Sequence, residues 1–404
     1  MKEKIDFEKI SQEILQGLKE KKPLIGEGGI FTPLIKHFLE SALEGEMNEH
    51  LQNREQSEHP TNRRNGKLKK SVKSTLGTIE IEPPRDRMGT FEPQIIEKRQ
   101  VRISEDMDRK IISMYGRGMS YSDIKEHMRE MYDVDLSESL LTSVTDSLLP
   151  TIEQWRNRPL DSIYSVIFMD AMYFKVKEQD GISNKAMYSV LAVNIEGEKE
   201  ILGIYIGESE SASFWKSILN NLQDRGVSDI LIACIDNLTG LAEAIEDFFP
   251  KTIVQPCLVH QMRNSFKYAN NKDIKELAKD LKKVYSALTE SEGMEALMEA
   301  ENKWGKKYPA IFKSWKNNWV RIKNIYQFGP KLRRLIYTTN PIESYHRMIR
   351  KVTKSKGVFH SEKSVKKQVF LVIQNAQSKW KGTIFNWSSI RQDLYFHFSD
   401  RLSI

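Results

Sequence analysis

Three acidic residues stand where an acid is either expensive or strangely placed. Asp170 interrupts the apolar run "SIYSVIFMDAMYFKV", among Ile167, Phe168, Met169, Met172 and Tyr173. A carboxylate in the middle of such a strand is costly unless it is paired or coordinates a metal, with local hydrogen bonds as the alternative. Asp236 closes the short apolar strand "DILIACID" and precedes "NLTG". It can open a turn or cap the next helix, or it can stand at a strand end, where open sheets place their chemistry. Glu343 lies in "IYTTNPIESYHRMIRKVTKSKG". Asn340 can cap a helix there, Pro341 suits the first helical position, and Glu343 follows the cap by three residues, which is a capping-box arrangement. Glu343 is also the only acid among eight basic residues between Lys331 and Lys356. Brought together, three carboxylates can hold two divalent cations. Hard oxygen ligands suit Mg²⁺, and such a pair activates an attacking oxygen and stabilises a leaving one in phosphoryl transfer.

The basic residues say where a polyanion would lie. Lys plus Arg number 62 against 55 Asp plus Glu in 404 residues, a net charge of +7, and position matters more than the total. "TNRRNGKLKKSVKST" carries Arg63, Arg64, Lys67, Lys69, Lys70 and Lys73 and no acid. Behind Glu343, Arg347, Arg350 and Lys354 recur at i+4, i+7 and i+11, one stripe on a helix, with Lys351 beside it. Two separated basic blocks suggest two places where phosphate backbone is held; the plainer reading of either alone is solvated surface. The block "CLVH" offers Cys257 and His260 as half a zinc site, but the only other cysteine is Cys234, and zinc takes about four ligands. Structural support of the site, or contact of His260 with DNA, are the readings that remain.

These residues need elements to position them. Residues 5 to 50 show two apolar stripes separated by "GEGG", hence two helices. Residues 52 to 65 are polar and turn-rich, and Ile79 and Ile81 mark a short strand or hairpin before Pro83-Pro84. From Ser104 to Leu149 the pattern is helix (Ser104 as cap), Gly-containing turn, Ser-capped helix, short loop, and a further helix through "DLSESLLTSVTDSLLPTIEQW" capped by Ser137 or Asp135. That is the outline of a helix-turn-helix DNA reader, shared with plain helical bundles. From Ser162 the order is three strands, helix, strand, helix, strand, helix. A meander feeding strand–helix alternation gives a mixed five-stranded sheet flanked by helices, the ribonuclease H-like arrangement. In that topology the first and fourth strands are neighbours, so Asp170 and Asp236 meet at one sheet edge, and Glu343 arrives on a helix crossing it. The gap before Glu343 is too long for direct passage, so residues 271–335, with Trp304, Trp315 and Trp319, are expected to be an inserted helical domain. The expected divisions are 1–100 (helices and a basic strand segment, for DNA or oligomerisation), 101–158 (helix-turn-helix-like), 159–270 (core, first part), 271–335 (insertion) and 336–404 (core, C-terminal part). The fold class is thus α+β, a ribonuclease H-like core with an all-helical insertion, preceded by mainly helical DNA-binding regions. The charged N-terminus has no apolar signal core and no apolar run is long enough to span a membrane, so a cytoplasmic protein, nucleoid-associated when acting, is expected.

In combination, "FMDAMYFKV", "ACIDNLTGL", "PCLVHQMRN" and "YTTNPIESYHRMIRK" resemble the blocks of bacterial Mutator-type insertion-sequence transposases. "RNGKLKKSVKSTLGTIEIEPPRDRMGTFEP" and "GRGMSYSDI" resemble that family's N-terminal blocks, and the likeness runs from about residue 30 to 400. The resemblance implies a DDE transposase with Asp170, Asp236 and Glu343 as catalytic triad and metal ligands, holding two Mg²⁺ ions with Mn²⁺ able to substitute. It implies double-stranded DNA partners, the element ends and the target, and a homo-oligomer of at least two protomers when two ends are joined. It also suggests a replicative route through a circular intermediate. The same Cys-x-x-His block follows the fifth strand in that family. The departures are Asn237 after the second Asp, where Gly is frequent, and Pro341 before Ile-Glu; neither removes a ligand. The rival readings are a nuclease of the same fold without strand transfer and a DNA-binding regulator derived from an idle transposase. Strand transfer with labelled end DNA separates the three.

Overall fold

The computed structural model describes residues 7–24, 28–52, 61–74, 77–98, 105–208, 211–236, 240–337 and 340–402. Ser104, Asn237 and most of the polar stretch 52–65 lie outside the described residues. The chain forms two units, Met1–Ser147 and Leu148–Ile404.

The first unit holds α1 (Phe7–Lys19), α2 (Thr32–Gln52), the short strands β1 (Arg64–Lys67), β2 (Lys70–Ser74), β3 (Gly77–Ile81) and β4 (Pro84–Asp86), then α3 (Glu105–Gly116), α4 (Tyr121–Tyr132) and α5 (Glu138–Asp146). β2 and β3 are an antiparallel hairpin with Val72 opposite Ile79, and β1 pairs antiparallel with β4. Leu43 of α2 packs with Val72, Ile79, Ile81 and Ile96 in a small core. Between α3 and α4 the chain turns through Gly118, whose φ of +96° suits a residue without Cβ. Ser120 then caps α4 in a full capping box with Asp123, and Ser137 caps α5. The sequence pattern of residues 137–155 suggests one helix; the chain instead makes two. Leu148 is the cap of α6 (Leu149–Arg156), and Pro150 sits in its first turn, where a missing N–H leaves no hydrogen bond unmade.

The second unit is built on β5 (Ile163–Glu178), β6 (Gly181–Val193) and β7 (Lys199–Gly207), followed by α7 (Ala212–Asp224), β8 (Asp229–Ile235), α8 (Leu241–Phe248), β9 (Ile253–Pro256) and α9 (Leu258–Phe266). The strand order is β7-β6-β5-β8-β9, a five-stranded mixed sheet. β5, β6 and β7 are an antiparallel meander, and β8 and β9 run parallel to β5. Both faces are covered, so the central strands read as nearly unbroken apolar runs. Ile167 and Met169 face Trp215, Ile218 and Leu222 of α7 and Ile245 of α8.

The opposite face carries Phe168, Met172 and Cys234. Against it lie α14 (Pro330–Ile336), α15 (Asn340–Thr353), α16 (Glu362–Gln377) and α17 (Trp387–Phe398). Between the two core segments stand α10 (Asn271–Ser286), α11 (Glu290–Trp304), α12 (Pro309–Asn317), α13 (Trp319–Ile322) and a 3-10 turn, Lys323–Gln327. Trp304, Trp315 and Trp319 are buried in the core of this insertion, together with Leu258 and Met262 of α9. No described helix is long and apolar enough to cross a membrane.

Candidate active site

β5 and β8 pair in parallel register with Met169 opposite Ile235. Asp170 and Asp236 are the next residues along each chain, so they arise side by side, with strands roughly 4.8 Å apart. Alternation turns the residue after Met169 toward the face of Phe168 and Met172, the face that Ile342, Tyr345 and Ile349 of α15 cover. Glu343 sits in the first turn of that same helix. The sheet register and one covering helix therefore bring all three acids to one edge.

Cationic and neutral donors hold them there. His346, one turn after Glu343 and 1% exposed, places Nδ1 3.2 Å from Asp170 Oδ2 and Nε2 3.2 Å from the Ser189 hydroxyl of β6. With Nδ1–H directed at the carboxylate, Nε2 accepts the Ser189 O–H, which fixes the ring. The Ala171 N–H also donates to Asp170 Oδ1, at 2.8 Å. The penalty of a carboxylate in an apolar strand is thus offset by two donors. The order Ser189–His346–Asp170 resembles a nucleophile relay, but Ser189 is fully buried and has no access to a substrate.

His260 of α9 lies between the other two acids. Its Nδ1 is 3.3 Å from Asp236 Oδ1 and its Nε2 is 3.3 Å from Glu343 Oε1. Burial disfavours the charged ring, but the Cys257 sulfur and the carboxylates of Asp236 and Asp170 outweigh it and raise the imidazole to about 9. Nδ1 is buried and makes no hydrogen bond, so its attraction to Asp236 is that of charge. One turn on, Arg263 closes a fork on Glu343, Nη1 to Oε1 at 2.5 Å and Nη2 to Oε2 at 3.4 Å. Cys257 is the N-cap of α9, its sulfur accepting from the His260 N–H at 3.5 Å. Its own N–H bonds Ile235 O at 2.8 Å, which sets the start of α9 against the end of β8 beside Asp236.

Residues 7–383 match the family model described as Transposase, Mutator family. The chain belongs to that family. The transposase for insertion sequence element ISRM3 of Rhizobium meliloti (strain 1021) is 39% identical over 397 residues, which covers 97% of this chain and 99% of the relative. A probable transposase for an ISRM3-like element of Sinorhizobium fredii (strain NBRC 101917 / NGR234) matches at the same identity over the same length. The transposase for IS256 in transposon Tn4001 of Staphylococcus aureus is 26% identical over 347 residues, 84% of this chain and 87% of that one.

The donor set of this Mutator-family chain fits a hard divalent cation in type and charge: three carboxylates at one sheet edge, balanced by His260 and Arg263. The imidazole occupies the gap between Asp236 and Glu343, and among the described residues no three acid, His or Cys side chains surround a single point. The basic residues fall in both units. On α15, Arg347, Arg350, Lys351 and Lys354 are all exposed. In the first unit Arg63, Arg64, Lys67 and Lys69 are exposed and Lys70 is half-buried, and several are engaged within the chain. Arg64 donates to Glu44 and to Asn48, Lys67 lies 3.2 Å from Glu44, and Lys70 donates to the Glu97 carbonyl. Sequence reasoning passed over Arg263 and His346. Each stands three residues after a residue already singled out, His260 and Glu343, and that spacing puts side chains on one helix face.

Proposed function

We propose that this chain is an insertion-sequence transposase whose reaction centre is Asp170, Asp236 and Glu343, in a core of ribonuclease H-like topology. The observation that carries the reading is the register of Met169 opposite Ile235, with α15 packed over the face onto which both aspartates turn. The strand order β7-β6-β5-β8-β9, a meander followed by two parallel strands, supports the topology. Two divalent cations, Mg²⁺ or Mn²⁺, would supply activation of the attacking oxygen and neutralisation of the leaving one. Asp170, Asp236 and Glu343 would hold them.

The chain's own groups do the rest. His346 and Ser189 lock the Asp170 carboxylate in orientation. His260 and Arg263 balance the acidic cluster while no other cation does. Arg347, Arg350, Lys351 and Lys354 carry a strip of positive charge away from the site for the DNA backbone, a contact that positions without reading sequence. Arg63, Arg64, Lys67, Lys69 and Lys70, with the α3–α5 helices, are the second DNA contact, for the element ends. Joining two ends calls for at least two protomers. The test is strand transfer with labelled end DNA. Asp170→Asn, Asp236→Asn and Glu343→Gln each abolish cleavage and joining and leave end binding largely intact. Near-normal joining by any one of them removes that residue from the reaction centre, and cleavage without joining by the wild type makes the chain a nuclease.

A further inference from the structure

β5 is longer than its parallel neighbour. Pairing with β8 stops at Met169, and the chain next meets a partner on that side at Lys175–Lys177, where the backbone of Phe359 accepts and donates one hydrogen bond each. Between these points a cleft of about 450 Å³ opens, lined by Ala171 to Lys175 and by the C-terminal half of α15 through Gly357 and Phe359. It begins one residue past Asp170.

The walls are unusual for an accidental hollow. Tyr173 is 56% exposed, a large ring on the surface at the open edge of a central strand. Lys175 follows at the next position of the same strand face. Across from them Arg350 and Lys354 line the cleft, both exposed and one helical turn apart. No acidic side chain lines it. Phe359 closes the floor, with the Lys356 ammonium 5.8 Å from its ring centre and tied to Gln368 at 2.6 Å. An aromatic platform beside three cations is what an unpaired nucleotide needs: a ring on which any base can stack, and charge for its phosphates.

We propose that this cleft binds an unpaired nucleotide at the reacting DNA end, with its base on Tyr173 and its phosphates at Lys175, Arg350 and Lys354. The proposal rests on the reading of Asp170 as part of the reaction centre. Along α15 the sequence is then Glu343, His346 against Asp170, Arg350 and Lys354. With a rise of about 1.5 Å per residue, a strand leaving the carboxylates reaches Lys354 within roughly 16 Å. An end whose last nucleotides are already unpaired avoids the unstacking penalty that a closed duplex meets, so the cleft selects for frayed or single-stranded ends.

The test measures binding of the full chain to a labelled duplex with a short unpaired 3′ tail and to its blunt counterpart of the same sequence. The wild type is expected to prefer the tailed DNA, and Tyr173→Ala to lose most of that preference. A base stacked on an aromatic side chain is worth roughly 5- to 150-fold in affinity. Tyr173→Trp keeps the preference, and affinity for the blunt duplex reports that the variants are folded. Equal binding of both DNAs by the wild type, or an undiminished preference in Tyr173→Ala, overturns the proposal. Asp170→Asn separates it from the reading beneath it: this variant keeps the tail preference and loses joining. If it joins normally, the reaction-centre reading falls and the cleft stands; if it loses the tail preference, the cleft is not a site of its own.

Discussion

Glu343→Gln should separate metal binding from folding in one pair of melting curves. Glu343 is about one-fifth exposed, and Arg263, its fork partner, is 54% exposed. A pair that open to water contributes about 0–1 kcal/mol. Its loss is further offset because the neutral amide relieves repulsion from Asp170 and Asp236. Without metal, the Leu148–Ile404 unit of the variant should therefore melt within about 2–4 °C of the wild type. Mg²⁺ is another matter. A ligand that binds only the folded state at a hundred times its dissociation constant stabilises by about 2.7 kcal/mol. For a unit of this size that is a rise of roughly 5–11 °C. The assay is thermal denaturation with EDTA and then with increasing Mg²⁺, the wild type beside Asp170→Asn, Asp236→Asn and Glu343→Gln. The wild type should climb and the three variants should stay nearly flat. A Glu343→Gln chain that climbs like the wild type would refute the ligand role. A fall of ten degrees or more in EDTA would mean that Glu343 is mainly structural.

The α15 stripe is tested by ionic strength: replacing Arg347, Arg350 and Lys354 with Ala should lower the slope of log K against log salt by about 2 to 3 and weaken all sequences alike, whereas an unchanged slope makes the stripe mere solvated surface. Asp86 in the first unit gives a pH prediction. Burial alone would raise its carboxyl, but the Asn62 amide, the Thr90 N–H and hydroxyl and the Phe91 N–H outweigh that and lower it from 3.8 to about 2. A lowered folded value contributes stability above the unfolded value and loses it as pH falls toward the folded one, so roughly 2 kcal/mol should vanish between about pH 4 and 2. Asp86→Asn should flatten that decline in acid denaturation of the first unit; an equally steep decline in the variant would assign it to other carboxylates.

The catalytic half of this chain was more legible than its surroundings, for physical reasons. Asp170 announced itself because an acid among Phe168, Met169 and Met172 violates the solvation rule that shapes the rest of the strand. Period-two and period-3.6 patterns gave the order of strands and helices, and the order set which strands are neighbours. What no local pattern carries is long-range pairing. Glu44 of α2 meeting Arg64 and Lys67 links residues some twenty positions apart across a turn-rich stretch, so a basic block that looked wholly available for phosphate is partly engaged at home. His260 was open to several readings because an i, i+3 relation to Cys257 says which helix face it occupies and nothing about what lies opposite. The α5–α6 break was missed because apolar residues recur at helical spacing on both sides of Pro150, and periodicity does not mark where the axis turns.

The helix α9 belongs to two cores at once. Its first residues hang from the sheet through the Cys257 N–H on Ile235 O, while Leu258 and Met262 are buried with the tryptophans of the insertion. Trp315 Nε1 donates to the Ser265 hydroxyl at 2.9 Å, Gln261 donates to Ser314 at 3.1 Å, and the Asn318 amide donates to Gln261 at 3.0 Å. The helical insertion is therefore not a cassette that can be cut out at residue 271 and exchanged between relatives. A chimera joined there would seat a foreign set of helices on a native α9, with mismatched knobs against Leu258 and Met262, and the error would be passed to His260 and Arg263 on the other side of the same helix. A graft that carries α9 with the insertion, joined instead at the end of β9, moves the whole interface as one piece and leaves only the Cys257 backbone bond to be remade.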